Sequence, residues 1–213
     1  MAASPVGGSR MSVKYSAACD GLLCMTSTFT PGNARILARI VAILLFGLAC
    51  ASQAAEPFRL QTPAGASVGF SGKSQASATV LFFWASWCPF CKALMPHLQS
   101  VLDQYGDDVQ LLAINIMEDG DPAAFLSDSG YDWTLLLNGD AVAKIYGVHG
   151  TPGLFVVDRS GATVFDLSRV QATAALQKRL AGADSRPRKA SRLAPYWAAE
   201  LRRALDPAIR TAR

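Results

Sequence analysis

The hydrophobic pattern of this chain alternates strand-like runs with amphipathic helical runs. The stretches Val80 to Trp84 and Val109 to Ile116 are short and almost wholly apolar, which is typical of fully buried strands. Between them, Pro89 to Tyr105 places apolar side chains three or four residues apart, which predicts a helix with one buried face. Pro96 lies inside this helix and should kink it, because proline removes a helical hydrogen bond.

The remaining pattern predicts three further helices, a hairpin and two short strand-like pieces. The strands Leu154 to Asp158 and Thr163 to Leu167 flank Arg159-Ser160-Gly161, which is typical of a hairpin turn. The other predicted elements are the helices Asp121 to Ser127, Asp140 to Tyr146 and Ala172 to Leu180, and the strand-like pieces Phe58 to Leu60 and Ser67 to Phe70. Strands that alternate with helices and end in a hairpin predict an α/β fold, with a mixed central sheet covered by helices on both faces.

The distribution of charge separates a domain from a basic extension. Residues 55–183 carry 8 Lys+Arg and 12 Asp+Glu, a net charge of −4, whereas residues 184–213 carry 8 and 3, a net charge of +5. The overall charge of +4 therefore does not come from the domain, and it does not indicate a nucleic-acid partner. We predict a single domain at 55–183 followed by a C-terminal extension at 184–213.

The extension is predicted to be a linker followed by a short helix. Ser185 to Lys189 has the composition of a solvated linker, and Pro195 opens a stretch with Trp197, Leu201 and Leu205 spaced four apart. Such a helix either lies on an anionic membrane surface or a partner, or packs loosely against the domain. The sequence leaves both alternatives open.

Residues 1–54 are predicted to be a leader that directs export, to the periplasm or beyond. Arg35 and Arg39 precede the uncharged run Ile40 to Ala49, and small residues follow up to Ala54. The apolar run is too short for a comfortable membrane span, so we expect cleavage after Ala54. The alternative is an uncleaved segment that anchors the protein in the membrane. Met25 is an alternative start of the natural chain.

Two cysteines, Cys88 and Cys91, lie between a predicted buried strand and a predicted helix. Cleavage of the leader removes the other three cysteines, which are Cys19, Cys24 and Cys50. A single close pair cannot form a disulfide framework, which favours a reactive pair over a structural one. Zinc needs about four ligands, and neither His97 nor His149 has ligand spacing to the pair, so no metal site is expected.

The position of the pair predicts reversible thiol–disulfide chemistry. Cys88 is placed at the start of the helix, where unpaired amide N–H groups and the helix dipole favour a thiolate. The thiolate is the nucleophile in this chemistry. Cys91 follows one turn later, within reach to resolve a mixed disulfide. Because the electrons travel through the two sulfurs, no organic cofactor is expected.

The motifs of the chain resemble the thioredoxin superfamily and, within it, the exported TlpA/ResA-like branch. The matching segments are Phe83 to Lys92, Pro96, Tyr146 to Pro152 and Leu154 to Asp158, and the resemblance covers roughly residues 56–183. It implies a thioredoxin fold and an exported thiol–disulfide oxidoreductase whose partners are cysteine-containing proteins and a membrane donor or acceptor of electrons. Reduction during disulfide or cytochrome c maturation is the expected role. The alternatives are an oxidase, an isomerase and a non-catalytic binding module.

The resemblance also implies a substrate-binding surface. The peptide bond between Thr151 and Pro152 would be cis and would lie beside the dithiol, leaving the Thr151 backbone free to pair with a substrate strand. The ring of Trp87 would border the exposed sulfur of the first cysteine. The predicted substrate-binding residues are Trp87, Pro89, Phe90, Thr151 and Pro152.

The chain departs from the family pattern in two places. Many thioredoxins have a buried carboxylate six residues before the first cysteine, where it helps to remove the proton of the second thiol. Here that residue is Phe82, so we expect proton transfer through water or another group. The dipeptide Pro89-Phe90 resembles glutaredoxin-type and oxidase-type sites, which leaves the direction of electron flow open. His149, three residues before Pro152, is interpreted as an exposed loop residue, and the alternative is a cation that favours the thiolate.

Overall fold

Strands and helices follow one another in the order that the hydrophobic pattern predicts. A computed structural model describes residues 54–212, so the predicted leader up to residue 53 lies outside the described part of the chain. The strands are β1 (Phe58–Gln61), β2 (Ser67–Phe70), β3 (Ala78–Trp84), β4 (Val109–Asn115), β5 (Thr134–Leu136), β6 (Gly153–Asp158) and β7 (Thr163–Asp166). The α-helices are α1 (Pro89–Tyr105), α2 (Pro122–Asp128), α3 (Asp140–Ile145), α4 (Ala174–Ala181) and α5 (Arg186–Ala212).

A five-stranded sheet in the order β5-β4-β3-β6-β7 forms the centre of the fold. Strands β3, β4 and β5 are parallel, whereas β6 and β7 run antiparallel to their neighbours. All seven residues of β3 are buried, which agrees with its central place in a sheet covered on both faces. Strands β1 and β2 pair as a separate hairpin. Among the strands within residues 54–212, only the edge strand β5 was not predicted from the sequence pattern.

The side chains of β3 divide the core into two clusters, because successive residues of a strand point to opposite faces. Val80, Phe82 and Trp84 pack in the cluster that includes α1 and α5. Leu81 and Phe83 pack on the other face, with α3 and the hairpin of β1 and β2. These two layers confirm the predicted mixed sheet with helices on both faces.

Helix α1 has the predicted bounds, and both of its ends have local causes. Cys88 is the N-cap, and Pro89 takes the first helical position, where a missing N–H costs nothing. Gly106 ends the helix with a φ of 53°, a left-handed conformation that glycine adopts readily. Pro96 lies inside the helix at an exposed position. The buried face of α1 consists of Cys91, Leu94, Met95, Leu98 and Val101.

Helix α5 differs most from the prediction. It begins at Arg186 and runs for 27 residues to Ala212, so the prediction of a linker at 185–189 and a short helix from Pro195 is wrong. Its buried positions recur every three or four residues, and they are Ala190, Ala194, Ala198, Leu201, Leu205, Ala208 and Ile209. None of the helices within residues 54–212 is long and apolar enough to cross a membrane.

Helix α5 packs lengthwise against α1. Four of its buried residues, Ala194, Leu201, Leu205 and Ile209, belong to the same core cluster as the buried face of α1. Polar contacts flank this packing, since the Arg202 guanidinium donates hydrogen bonds to Gln104 at 2.9 Å and to Ser100 at 3.0 Å. The Tyr105 hydroxyl donates another to Asp206 at 2.6 Å. Of the two predicted alternatives for the extension, the structure therefore shows a helix that covers the domain, and the apolar face of this helix is buried against α1.

Candidate active site

The dithiol lies where β3 gives way to α1. Cys88 has an extended backbone (φ −77°, ψ 115°), as an N-cap residue requires, and its sulfur accepts a hydrogen bond from the Cys91 amide N–H at 3.2 Å. This sulfur takes the place that a serine or aspartate oxygen takes at other helix N-termini. Unpaired amide groups and the helix dipole both stabilise negative charge there. The first cysteine therefore lies in the position that the sequence predicts.

The two thiols differ in acidity. The pKa of Cys88 falls from 9.0 to about 6, and the largest cause is a hydrogen bond from the Cys91 thiol. Burial acts in the opposite direction, and smaller contributions from Thr151 and from the backbone of Phe90 and Cys91 also lower the pKa. Burial raises the pKa of Cys91 far above its ordinary value, and the hydrogen bond and charge of Cys88 add to this effect. Near neutral pH, Cys88 is therefore a thiolate and Cys91 a thiol. One nucleophile and one proton-bearing partner are what stepwise thiol–disulfide exchange requires.

Cys88 is less accessible than the resemblance implies. The exposed fraction of Cys88 is 1% and that of Cys91 is 0%, and both are free thiols. The Cys88 sulfur lies 3.5 Å from the carbonyl oxygen of Thr151, which is hydrogen-bonding distance when the thiol is protonated. The expectation of an exposed sulfur is wrong, because the loop that carries Thr151 lies against it. A substrate sulfur can reach Cys88 only after a local displacement of the surrounding groups.

The loop opposite the dithiol has the conformation that the resemblance implies. The Thr151–Pro152 peptide bond is cis, and both residues are half-buried. Pro89 and Phe90, the two residues between the cysteines, are also half-buried. The structure therefore places these four predicted residues around Cys88, two directly after it in the chain and two on the loop opposite, and each retains some exposed surface.

Trp87 supplies the largest exposed apolar surface next to the dithiol. Its exposed fraction is 46%, and its indole N–H donates a hydrogen bond of 2.7 Å to the carbonyl oxygen of Met117. Met117 is itself 44% exposed and has a φ of 52°, which is unusual for a residue with a side chain. The loop after β4 thus fixes the orientation of the Trp87 ring and adds a second apolar side chain beside it.

Sequence reasoning missed Glu118, which holds the turn before the first cysteine. Its carboxylate accepts hydrogen bonds from the Ser86 amide at 2.9 Å, the Ser86 hydroxyl at 2.7 Å and the Asn115 side-chain amide at 2.6 Å. Burial alone would raise the pKa of Glu118, but these hydrogen bonds outweigh it and lower the pKa below its ordinary value. The sequence does contain a signal for this contact. The parallel strands β3 and β4 end at the same edge of the sheet, so Ser86 and Glu118, which follow them, lie close together.

Phe82 fills the place that a buried carboxylate takes in many thioredoxins. It is fully buried in the same cluster as Cys91, and its ring stacks on Trp84 with 6.3 Å between centroids. Trp133 meets the Phe82 ring edge-on at 6.1 Å. These apolar surroundings agree with the raised pKa of Cys91, since burial away from water disfavours a charged sulfur. The proton route from Cys91 stays a prediction.

Two histidines and a lysine lie near the motif in the sequence. His149 is exposed, as interpreted from the sequence, and His97 is half-buried on α1. The ammonium group of Lys92 lies 5.0 Å from the centroid of the Phe125 ring, a cation–π distance. Within residues 54–212, no three potential metal-binding side chains cluster closely enough to hold an ion.

Comparisons with known proteins agree with this geometry. Residues 51–164 match the AhpC/TSA family. The sporulation thiol-disulfide oxidoreductase A of Bacillus subtilis is 35% identical over 89 residues, which are 36% of this chain and 53% of that protein. The soluble secreted antigen MPT53 of Mycobacterium tuberculosis is 34% identical over 132 residues, which are 59% of this chain and 76% of that protein. The chain thus matches about half the length of the first relative and three quarters of the second.

A solved structure shares the fold. A protein from Chlorobium tepidum, described as a putative thiol:disulfide interchange protein DsbE, superposes with a TM-score of 0.55 and 24% identity. The superposition covers 74% of this chain and 96% of that one. At this identity the likeness shows the fold alone, and that fold is the thioredoxin-like one that the resemblance implies.

Proposed function

The chain belongs to the AhpC/TSA family, and on that premise we propose that it is an exported reductant of disulfides in cysteine-containing proteins. The family match and the thiol–disulfide oxidoreductases among its relatives confirm the predicted resemblance and the predicted class of enzyme. The observation that carries the proposal is the unequal pair of thiols, in which Cys88 has a pKa of about 6 at the tip of α1 and Cys91 keeps its proton beneath it.

The proposed reaction uses the two sulfurs in sequence. The Cys88 thiolate attacks one sulfur of a substrate disulfide, whose S–S bond breaks, and the departing substrate sulfur takes up a proton. A mixed disulfide now joins Cys88 to the substrate. Cys91 then loses its proton and attacks the Cys88 sulfur, which releases the second substrate thiol and leaves a Cys88–Cys91 disulfide. Two electrons have passed to the substrate, and no metal or organic cofactor takes part.

The acidity of Cys91 is proposed to change during this cycle. The charge on Cys88 and the hydrogen bond to it both raise the pKa of Cys91 in the free enzyme. Both are lost when Cys88 enters a mixed disulfide, so the pKa of Cys91 falls at the step that needs its thiolate. Phe82 offers no carboxylate for the proton, which supports a water molecule as its acceptor.

The direction of electron flow follows from how far the thiolate is stabilised. A lower pKa of the first cysteine stabilises the dithiol and makes the disulfide more oxidising. The value of about 6 for Cys88 lies closer to that of thioredoxin, about 7, than to that of a strong disulfide oxidant of this fold, about 3.5. This supports a reductant. The dipeptide Pro89-Phe90, which resembles oxidase-type sites, favours an oxidase as the second candidate.

Export and partners are also proposed. The leader pattern ending at Ala54 supports export, and the secreted antigen is a relative whose name states that property. The proposed partners are exported proteins with cysteines, apocytochrome c among them, and a membrane donor that returns two electrons to the disulfide. Sequencing the N-terminus of the protein purified from its host tests cleavage after Ala54.

Insulin reduction by dithiothreitol tests the proposed activity. The wild type is expected to accelerate the reaction, the Cys88→Ser variant to have no effect, and the Cys91→Ser variant to stall as a mixed disulfide. Equal rates with wild type and Cys88→Ser would refute the enzyme and favour a binding module. Equilibration with glutathione then gives the direction, because a potential near that of thioredoxin, about −270 mV, supports a reductant and one near −120 mV an oxidase. Mixed disulfides trapped in cells by Cys91→Ala would identify the substrates.

A further inference from the structure

Helix α5 brings Trp197 to the active site. The centroid of the Trp197 ring lies 6.2 Å from that of Phe90, which lies between the two cysteines. Ala194 and Leu201, one turn away on either side, are fully buried, and so is the next residue, Ala198, whereas Trp197 is half-buried. Trp197 therefore lies where the packed face of α5 reaches solvent, next to the dithiol.

Trp197 also lines a cavity that continues from the predicted substrate-binding loop. The cavity has a volume of about 360 Å³ and lies between α5, the loop of Pro152 and the segment that follows β7. This volume is at the lower end of the range for binding pockets, about 300–1,000 Å³. Val148, Leu154 and Leu167 are among the residues that line it. Trp197 thus contacts Phe90 on one side and shares a cavity with Pro152 on the other.

We propose that Trp197, with Phe90 and Pro152, forms an apolar subsite for an aliphatic or aromatic side chain beside the reactive cysteine of the substrate. This inference rests on the proposed function. A substrate sulfur that reacts with Cys88 comes close to the Thr151 carbonyl oxygen, which lies 3.5 Å from the Cys88 sulfur. The side chains that flank the substrate cysteine then lie against the loop of Pro152, at the cavity.

The lining of the cavity favours an apolar occupant over a charged one. Its carboxylate, Asp166, already accepts hydrogen bonds from the Ser168 amide and hydroxyl and pairs with Arg169 at 3.1 Å. His149 is exposed and contributes to the lining beside Pro152. An aspartate of the substrate in this cavity would lose its water against apolar side chains and would share the cavity with the Asp166 carboxylate, which costs free energy. A leucine or phenylalanine side chain gains from the same burial.

The aromatic wall of the subsite lies outside the part of the chain that matches the family model. The family match ends at residue 164, and Trp197 lies beyond it. The groups that perform the exchange reaction lie within the matched region, whereas the aromatic wall of the cavity comes from α5. Selection among substrates is therefore separable from the chemistry of the dithiol, and a change at Trp197 should alter the first more than the second.

Two peptide disulfides that differ only beside the reactive cysteine test the subsite, one with leucine and one with aspartate. We expect the wild type to reduce the leucine peptide with about tenfold higher kcat/KM, within the range for discrimination by apolar pockets. Trp197→Ala should bring this ratio close to one, mainly by raising KM for the leucine peptide. Trp197→Phe, which keeps an aromatic ring, should retain part of the preference.

The matched control is Tyr196→Ala, which removes the adjacent aromatic ring of α5. The Tyr196 hydroxyl donates a hydrogen bond to the Gln171 carbonyl oxygen at 2.8 Å, and Tyr196 is not among the residues that line the cavity, so this variant should keep the wild-type ratio. Circular dichroism shows whether each variant retains α5. An unchanged ratio in folded Trp197→Ala, or no preference in the wild type, overturns the subsite alone. Failure of the wild type to reduce either peptide overturns the proposed function instead.

Discussion

Replacing Cys91 by alanine removes the interaction that does most to make Cys88 acidic. In the wild type, the Cys91 thiol donates a hydrogen bond to the Cys88 sulfur, and the pKa of Cys88 falls from 9.0 to about 6. Alanine offers no donor, while the burial that opposes ionisation remains. The backbone N–H of residue 91 still points at the sulfur, so part of the effect persists. We expect the pKa of Cys88 in Cys91→Ala to rise towards 9.0.

The magnitude is large enough to measure directly. A lowering from 9.0 to about 6 corresponds to about 4 kcal/mol in favour of the thiolate, at 1.36 kcal/mol per pKa unit. Cys88 is 1% exposed, so solvent does little to screen this interaction. At pH 7 about nine tenths of Cys88 is ionised in the wild type, against about one hundredth for a thiol with a pKa of 9.0. The alanine variant should fall below one half.

Alkylation by iodoacetamide as a function of pH measures this ionisation. Cys88 and Cys91 lie on one tryptic peptide, so fragmentation of that peptide in the mass spectrometer is used to separate labelling at Cys88 from labelling at Cys91. Burial slows the labelling at every pH, but the midpoint of the profile still reports the pKa. Cys91→Ser is the matched control, because its hydroxyl also donates a hydrogen bond and should keep the midpoint below that of Cys91→Ala. A wild-type midpoint near 9, or equal midpoints in wild type and Cys91→Ala, would refute the assigned cause.

Three further predictions concern stability. The free energy of unfolding of the reduced protein should rise by up to about 4 kcal/mol relative to that of the oxidised protein between about pH 6 and pH 9, because unfolded Cys88 binds a proton that native Cys88 lacks. Urea unfolding that shows no such rise would contradict a thiolate at Cys88. In the same assay, Glu118→Gln should lower the free energy of unfolding by about 1–3 kcal/mol, because it leaves the amide donor of Ser86 or of Asn115 without an acceptor. Asp119→Asn should lower it little, and equal losses in the two variants would contradict the role of Glu118. Leu201→Ala, which empties a buried position, should lower the free energy of unfolding by about 2–5 kcal/mol, whereas Arg203→Ala, which removes an exposed ion pair, should lower it by less than about 1 kcal/mol. A small loss in Leu201→Ala would show that α5 is not part of the core.

The elements with local signals could be predicted from the sequence. Cys88 and Pro89 determine where helix α1 begins, and Gly106 determines where it ends. Each acts on the backbone next to it in the chain, so no distant partner is needed. The strands β3 and β4 are apolar throughout, so their burial could be predicted without their partners. Strand β5 has three residues, too few for a periodic signal, and it exists because β4 pairs with it.

Helix α5 and the contacts of the site depend on partners distant in sequence. Alanines at the buried positions of α5 carry a weak hydrophobic signal, and Pro195 and Pro207 interrupt the pattern of a long helix. The packing of this helix on α1 is a tertiary effect that composition does not reveal. The same applies to the exposure of Cys88, which depends on the loop of Thr151 lying against it.

The burial of Cys88 affects its oxidation by peroxide as well as its reaction with substrates. A thiolate is the form that peroxide oxidises, and the rate of that oxidation depends on access as well as on charge. In this protein the sulfur carries charge near neutral pH but has almost no contact with solvent. Peroxide and substrate therefore both need the loop of Thr151 to move away from Cys88, and a variant that turns over faster by loosening the loop would also be inactivated faster.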